Sequence, residues 1–344
     1  MKPKTGLNSD SLNPFDPLDL KSLKPLSEHG GRIEEGFLDF SISINPYQPD
    51  WKEEVFLNAE RKSTRYTYFE DLDKDLGELV DEEVAIIAGA TEGIYLSLIF
   101  LKNLGMERII VPNPTYSEYE RVSRIFGCRI VKAKANPKAL AEKVRKNSAV
   151  FFCNPNNPDG KYFSPKELKS LVEVVEDSNS ILILDEAFMD FVKGFESPES
   201  EDIIKIRTFT KSYGMPGIRA GYIAGFSREF KVLRMPWSIG SIGYAFIEKV
   251  IEDGFDFLKN TMQKIWKEKE RIEKVLDVKS DANYFLMKFD ANFLKSKKIL
   301  VRDCKSFGLD GFIRFSVKRP EENTRLIEAI RSAGANDKEI IENR

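Results

Sequence analysis

Between residues 47 and 235 the chain alternates short, continuous apolar runs with longer stretches of helical periodicity. Val84-Ala-Ile-Ile87, Ala149-Val-Phe-Phe-Cys153 and Ser180-Ile-Leu-Ile-Leu184 have the length and branched composition of strands buried on both faces. Ser164-Pro-Lys-Glu167 supplies a hydroxyl N-cap, a proline at N1 and a glutamate at N3, which predicts a helix to about Asp177. After Pro236-Trp237 the pattern becomes helical through Ala245–Leu276. Short strands are then expected at Tyr284–Phe289, Ile299–Arg302 and Phe312–Val317, with a closing helix over Pro320–Ser332 and a polar, frayed tail over Gly334–Arg344. This order predicts an α/β fold, a mostly parallel sheet sandwiched by helices, plus a smaller α+β domain. The division expected is 47–235 for the large domain and 236–344 for the small one, with residues 1–46 returning to the latter. A chain of 344 residues is long enough for two cores.

Composition narrows the chemistry. With 53 basic and 55 acidic residues the net charge is −2, which leaves no footprint for nucleic acid or an acidic membrane. The opening Met1-Lys-Pro-Lys-Thr-Gly6 has no apolar h-region and no run approaches a membrane span, so the cytoplasm is the expected compartment. Cys128, Cys153 and Cys304 show no metal spacing, and no metal is expected. His29 is the single histidine, so a Ser-His-Asp apparatus or a histidine-rich metal site has almost nothing to work with.

Lysine chemistry survives that elimination. Lys211 stands eight positions before Arg219 in a Gly/Pro-broken stretch whose apolar flanks are expected to bury both side chains. A lysine among apolar groups offers a neutral amine that can condense with an aldehyde, and a guanidinium nearby suits a phosphate handle. Pyridoxal 5'-phosphate (PLP) combines the two. Asp185 follows a buried strand, at the carboxyl end where ligands of open α/β sheets bind, and is the candidate partner for a protonated pyridine nitrogen. Asn157, in the Asn154–Gly160 turn, offers an amide donor to the ring's phenolic oxygen. The turn after Val84–Ile87 presents Gly89, Ala90 and Thr91 as phosphate donors at a helix start. Tyr116, after another strand, either stacks on the ring or packs in the core.

Together these segments resemble fold-type I PLP enzymes of the class I/II aminotransferase superfamily, and within it the threonine-phosphate decarboxylases of cobalamin synthesis. The narrower likeness rests on Glu28-His-Gly-Gly31, Leu38-Asp-Phe-Ser41 with Ile44-Asn-Pro46, Arg65-Tyr66, Asp185-Glu-Ala-Phe188 with Asp190-Phe191, Met235-Pro-Trp-Ser238, Ala282-Asn-Tyr284 and Ile299–Cys304 with Arg314. Histidinol-phosphate aminotransferases share the core motifs. The resemblance implies Lys211 and Asp185 as catalytic residues and Thr210 as a further cofactor contact. It implies that Tyr66 reaches the cofactor phosphate of a partner subunit, hence a homodimer. His29, Gly30 and Arg302 are implied to receive a substrate phosphate, Arg314 a carboxylate, and Ser43 and Asn157 further substrate contacts.

The implied reaction is decarboxylation of the phosphorylated amino acid O-phospho-L-threonine to (R)-1-amino-2-propanol O-2-phosphate, with transamination of histidinol phosphate or a related amino acid as the alternative. The bond at Cα that stands perpendicular to the conjugated plane decides between them. A third reading, a binding or regulatory protein on the same fold, lacks a spare module or basic patch to serve it. The chain departs from the family pattern at Ser43, where an asparagine is usual, in Ile87-Ala-Gly-Ala90, at Asp159, and in a compressed stretch after Tyr66.

Overall fold

A computed structural model describes residues 30–31 and 35–342, with side chains described as far as residue 333. Twelve strands are found there: β1 (Leu38–Asp39), β2 (Val84–Ile87), β3 (Arg108–Asn113), β4 (Arg129–Lys134), β5 (Ser148–Cys153), β6 (Ile181–Asp185), β7 (Ile203–Thr208), β8 (Gly221–Ala224), β9 (Tyr284–Lys288), β10 (Ile299–Leu300), β11 (Arg302–Asp303) and β12 (Phe312–Ser316).

Seven of them form one sheet in the order β2-β8-β7-β6-β5-β3-β4. Strands β4, β3, β5, β6 and β7 pair in parallel, while β8 runs against both β7 and β2. Since β2 and β7 are each antiparallel to β8, they share a direction. The segments after β2, β3, β5, β6 and β7 therefore leave the sheet along one edge, which is where the functional motifs sit.

The apolar runs are continuous because both sheet faces are covered. Along β5, Ala149, Phe151 and Cys153 enter one core cluster while Val150 and Phe152 enter another. β6 repeats the alternation with Ile181 and Ile183 against Leu182 and Leu184. Each of the buried valine, leucine, isoleucine and phenylalanine side chains among them contributes about 1.5–3 kcal/mol through area removed from water. The helix at Pro165–Asp177 starts with the reciprocal Ser164/Glu167 capping box that its sequence announces.

The remaining strands form smaller sheets, β11-β12-β9 and the parallel pair β1-β10. Three expectations are corrected here. The helical stretch ending at Leu276 is two helices, Ser241–Asp253 and Asp256–Leu276, because Gly254 and Phe255 both adopt positive φ. The expected Ile299–Arg302 strand is split: β10 pairs with β1, and the chain then turns so that β11 pairs with β12. The last helix does not end near Ser332; its backbone is helical from Pro320 to Glu342.

Candidate active site

One cleft lies beyond the carboxyl edge of the large sheet, enclosing about 1050 Å3 with its open mouth included. It is lined by Lys211, Asp185, Ala90, Thr91, Tyr116, Asn157, Thr210, Arg219, Gly30, Ser43, Arg302 and Arg314. Residues separated by up to 284 positions thus converge because each follows or ends a strand at the same edge, or enters from the smaller sheets.

Lys211 sits in a single helical turn, Phe209–Ser212, directly after β7, with Thr208 as its N-cap. The irregular segment before Pro46 is strapped onto this turn: Asn45 donates its backbone N–H to the Lys211 carbonyl (2.8 Å) and its side-chain amide to the Ser212 carbonyl (2.8 Å). Burial, then the Arg314 and Arg219 charges, lower the Lys211 pKa to about 8, against an opposing pull from Asp185. A substantial neutral fraction therefore exists near pH 8.

Asp185 ends β6 and is 4 % exposed. Its Oδ2 accepts the Tyr119 hydroxyl (2.6 Å) and its Oδ1 the Ala187 N–H (3.1 Å). Burial raises its pKa, and these two hydrogen bonds oppose the rise.

The turn after β2 corrects one assignment. Gly89 donates its N–H to the Ile87 carbonyl (2.8 Å), so it is not an available donor, whereas Ala90 and Thr91 open the helix Ala90–Asn103 and have no acceptor one turn earlier. Gly89 has φ +84°, and a Cβ there would come within 2.7 Å of Arg219 Nη2. The glycine thus lets the guanidinium lie against the turn. Arg219 itself is exposed at the cleft mouth rather than buried, because its left-handed backbone directs it over the rim, where it donates to the Pro216 (3.2 Å) and Ala88 (3.3 Å) carbonyls.

On the other wall, Arg302 and Arg314 face each other directly across the antiparallel β11/β12 pair. Both are buried. Arg314 donates to Asn157 Oδ1 and to the Ser41 carbonyl (3.0 Å), and its guanidinium lies over the Tyr284 ring. It makes no ion pair with any described residue, and its Nε is buried without a partner. Ser43 Oγ is buried without a partner too. Arg302 donates to Ser306 Oγ and lies 5.6 Å from the centre of the Phe307 ring.

Tyr66 does not line the cleft: it is 69 % exposed and stacked on Trp237 (4.5 Å). His29 lies outside the described residues. Conversely, Tyr119, Ser41 and Ser306 also line the cleft, though no sequence motif gives them a role there. Tyr119 had a signal of position, since it lies in the first turn of the helix that opens just after Tyr116 at the strand's carboxyl end; the other two had none.

An aldehyde-bearing, phosphate-carrying ring fits what is present. The donor set offers an amine of lowered basicity, a buried carboxylate, free helix-start amides beside a guanidinium, and two orphaned buried polar atoms. The fold and cleft define the class of PLP-dependent enzymes in which a lysine carries the cofactor. The chain belongs to the aminotransferase class I and II family, whose model matches residues 35–330. It is 30 % identical to histidinol-phosphate aminotransferase 2 of Archaeoglobus fulgidus, over 93 % of this chain and 97 % of that one. It is 29 % identical to a putative threonine-phosphate decarboxylase of Caldanaerobacter subterraneus, over 90 % and 95 %. Among solved structures, histidinol-phosphate aminotransferase from Clostridium acetobutylicum superposes with a TM-score of 0.78 at 24 % identity, covering 87 % of this chain and 99 % of that one. The enzyme of that name from Sinorhizobium meliloti, in complex with pyridoxal-5'-phosphate, gives 0.73 at 21 % identity, covering 85 % and 90 %.

Proposed function

We propose that this chain decarboxylates O-phospho-L-threonine to (R)-1-amino-2-propanol O-2-phosphate. The observation that carries this reading is Arg314, buried on the cleft wall opposite Arg302 and paired with no carboxylate among the described residues. Like charges directly opposed across strands are unfavourable, and burial worsens the cost. A substrate carboxylate supplies the anion that Arg314 lacks among the described residues, and a substrate phosphate adds negative charge beside Arg302. Histidinol phosphate carries only the phosphate, so in transamination Arg314 would meet a carboxylate only in the 2-oxoglutarate half-reaction.

In this reading Ala90, Thr91 and Arg219 hold the cofactor phosphate, Thr210 supports them, Tyr116 covers one ring face, and the Asn157 amide donates to the phenolic oxygen while its carbonyl oxygen stays with Arg314. Asp185 faces the ring nitrogen. When bound, PLP supplies an electron sink for the pair left as a bond at the substrate Cα breaks. Arg314, with the Ser43 hydroxyl, orients the carboxylate that departs as carbon dioxide. Arg302, Gly30 and His29 hold the substrate phosphate. Lys211 Nζ returns a proton to Cα, and its lowered pKa suits that exchange.

The proposal includes a homodimer, in which the exposed Tyr66–Trp237 pair is covered and Tyr66 reaches the partner's site. It also keeps the division at residues 47–235 and 236–344, with 1–46 joining the second part, and a cytoplasmic setting; no helix among the described residues is long and apolar enough to cross a membrane.

The second reading, histidinol-phosphate transamination, is favoured by the 30 % identical relative of that name. Incubation of the PLP-loaded protein with O-phospho-L-threonine, and separately with histidinol phosphate plus 2-oxoglutarate, decides between them. Carbon dioxide from the first mixture is the expected result; glutamate from the second, with none from the first, overturns it.

A further inference from the structure

Asp185 holds one acceptor oxygen against Tyr119, which itself lines the inner end of the cleft. Its ring is fully buried, lies nearly parallel to Phe151 (5.0 Å between centroids, 9° between planes), and meets Tyr116 edge-on (5.6 Å, 83°). Phe151 is on β5, whose register places Cys153 beside Asp185 on β6. The sheet thus fixes the ring and the carboxylate with respect to each other. The hydroxyl is on the first turn of the helix Glu118–Ile125 and donates to Asp185 Oδ2 (2.6 Å), with the Cys153 thiol also in hydrogen-bond contact with it.

The direction of this hydrogen bond is fixed by chemistry. Burial, then the nearby Asp185 charge, push the Tyr119 phenol far above its ordinary range, so it keeps its proton and can only donate to the carboxylate. A carboxylate that accepts such a donor is held ionised and in one orientation, against the desolvation that favours its neutral form. We propose that Tyr119 is a positioning residue for the cofactor: acting through Asp185, it keeps that carboxylate charged and aimed at the pyridine nitrogen of PLP.

This inference rests on the role proposed for Asp185 and not on the identity of the substrate. Its test is the dissociation constant of PLP, measured by absorbance titration of the apoprotein, for Tyr119→Phe, Asp185→Asn and the unaltered chain. Tyr119→Phe preserves the ring stack and removes only the donor. A lost hydrogen bond to a buried charge predicts a rise in the dissociation constant of roughly ten- to a hundredfold, with the substrate KM unchanged and kcat reduced. Asp185→Asn is expected to weaken binding at least as much.

If Asp185→Asn weakens PLP binding and Tyr119→Phe does not, the positioning role is wrong while Asp185 keeps its place. If neither changes it, the reading of Asp185 itself fails. Phe151→Leu removes the ring beneath Tyr119 but retains the hydroxyl. It is expected to weaken PLP binding in the same direction by less, and an unchanged constant there counts against the proposal even if Tyr119→Phe does not fold. A change confined to the melting temperature of the apoprotein, with PLP affinity intact, marks Tyr119 as structural only and overturns the inference.

Discussion

Arg207 and Arg314 are matched in nearly everything except their partners. Each lies on a strand, β7 or β12, is 7–8 % exposed, and has its guanidinium over a tyrosine ring, Tyr222 at 5.9 Å or Tyr284 at 5.2 Å. Arg207 is paired with Glu186 (2.7 Å) and reaches Glu82 (3.4 Å). Arg314 has an amide oxygen and a backbone carbonyl, and no carboxylate among the described residues. Burial lowers the pKa of both; at Arg207 the Glu186 and other negative charges reverse the effect, and at Arg314 they do not. A buried charge that the fold has neutralised belongs to the scaffold. One left short of an anion, beside a cleft, is poised to take it from a ligand.

The largest effect should come from breaking the unpaired side. Arg314→Met is expected to reduce kcat/KM by roughly a hundred- to a thousandfold, since truncating one member of a buried charge pair costs about 2–5 kcal/mol. The apoprotein should be no less stable, and in urea unfolding somewhat more so, because a desolvated charge has been replaced by a packed apolar chain. A large loss of apoprotein stability would show that Arg314 is scaffold after all.

Glu186→Ala is the mirror experiment. It leaves Arg207 buried without its main partner, and should destabilise the fold by about 3–5 kcal/mol as measured by chemical denaturation. Asp185 and Glu186 are adjacent in sequence, so an equal and purely catalytic loss from both substitutions would contradict the distinction drawn between cleft and scaffold.

Lys211 extends the comparison to a charge that can be shed. Its pKa of about 8 lies below the ordinary value of about 10.4, so between these values the unfolded chain binds the proton more than the native one. Apoprotein stability should therefore rise with pH across that window, and the destabilisation should be complete below pH 8. Lys211→Met should stabilise the apoprotein at pH 7 by on the order of 2 kcal/mol, with the advantage fading above pH 8. It should also abolish the visible absorbance of bound PLP.

How legible this was in the sequence follows the same line. The strands that carry the cleft could be read because burial on both faces writes an unbroken apolar run, as at Ala149–Cys153, and the lysine, aspartate and asparagine follow such runs directly. Asp185 and Glu186 could not be told apart in role from local pattern, since only the sheet's alternation sends one to the cleft and the other toward Arg207. Tyr119 depends on a strand two neighbours away. The break at Gly254-Phe255 was missed because a phenylalanine at positive φ is disfavoured locally and is accepted only where packing of the flanking helices outweighs it. Arg219 was expected to be buried from its apolar neighbours, but a left-handed backbone turned it outward.

The smallest effect tests whether saturation is uniform along the Arg207 network. Glu82 bridges Arg207 and Lys205, and Lys205 also meets Glu199 (2.8 Å), whose side chain is 80 % exposed. Water solvates Glu199 well in either state, and Lys205 retains Glu82 at 3.0 Å when Glu199 is removed. The attraction across an exposed pair is weak, and ordering the glutamate side chain offsets part of it. Glu199→Ala should therefore change unfolding free energy by less than about 1 kcal/mol, and the difference should shrink as salt is raised. A loss comparable to that of Glu186→Ala, persisting in high salt, would mean that Lys205 depends on its outer partner as Arg207 does on its inner one. The separation between saturated scaffold and open cleft would then rest on the network as a whole rather than on its buried end.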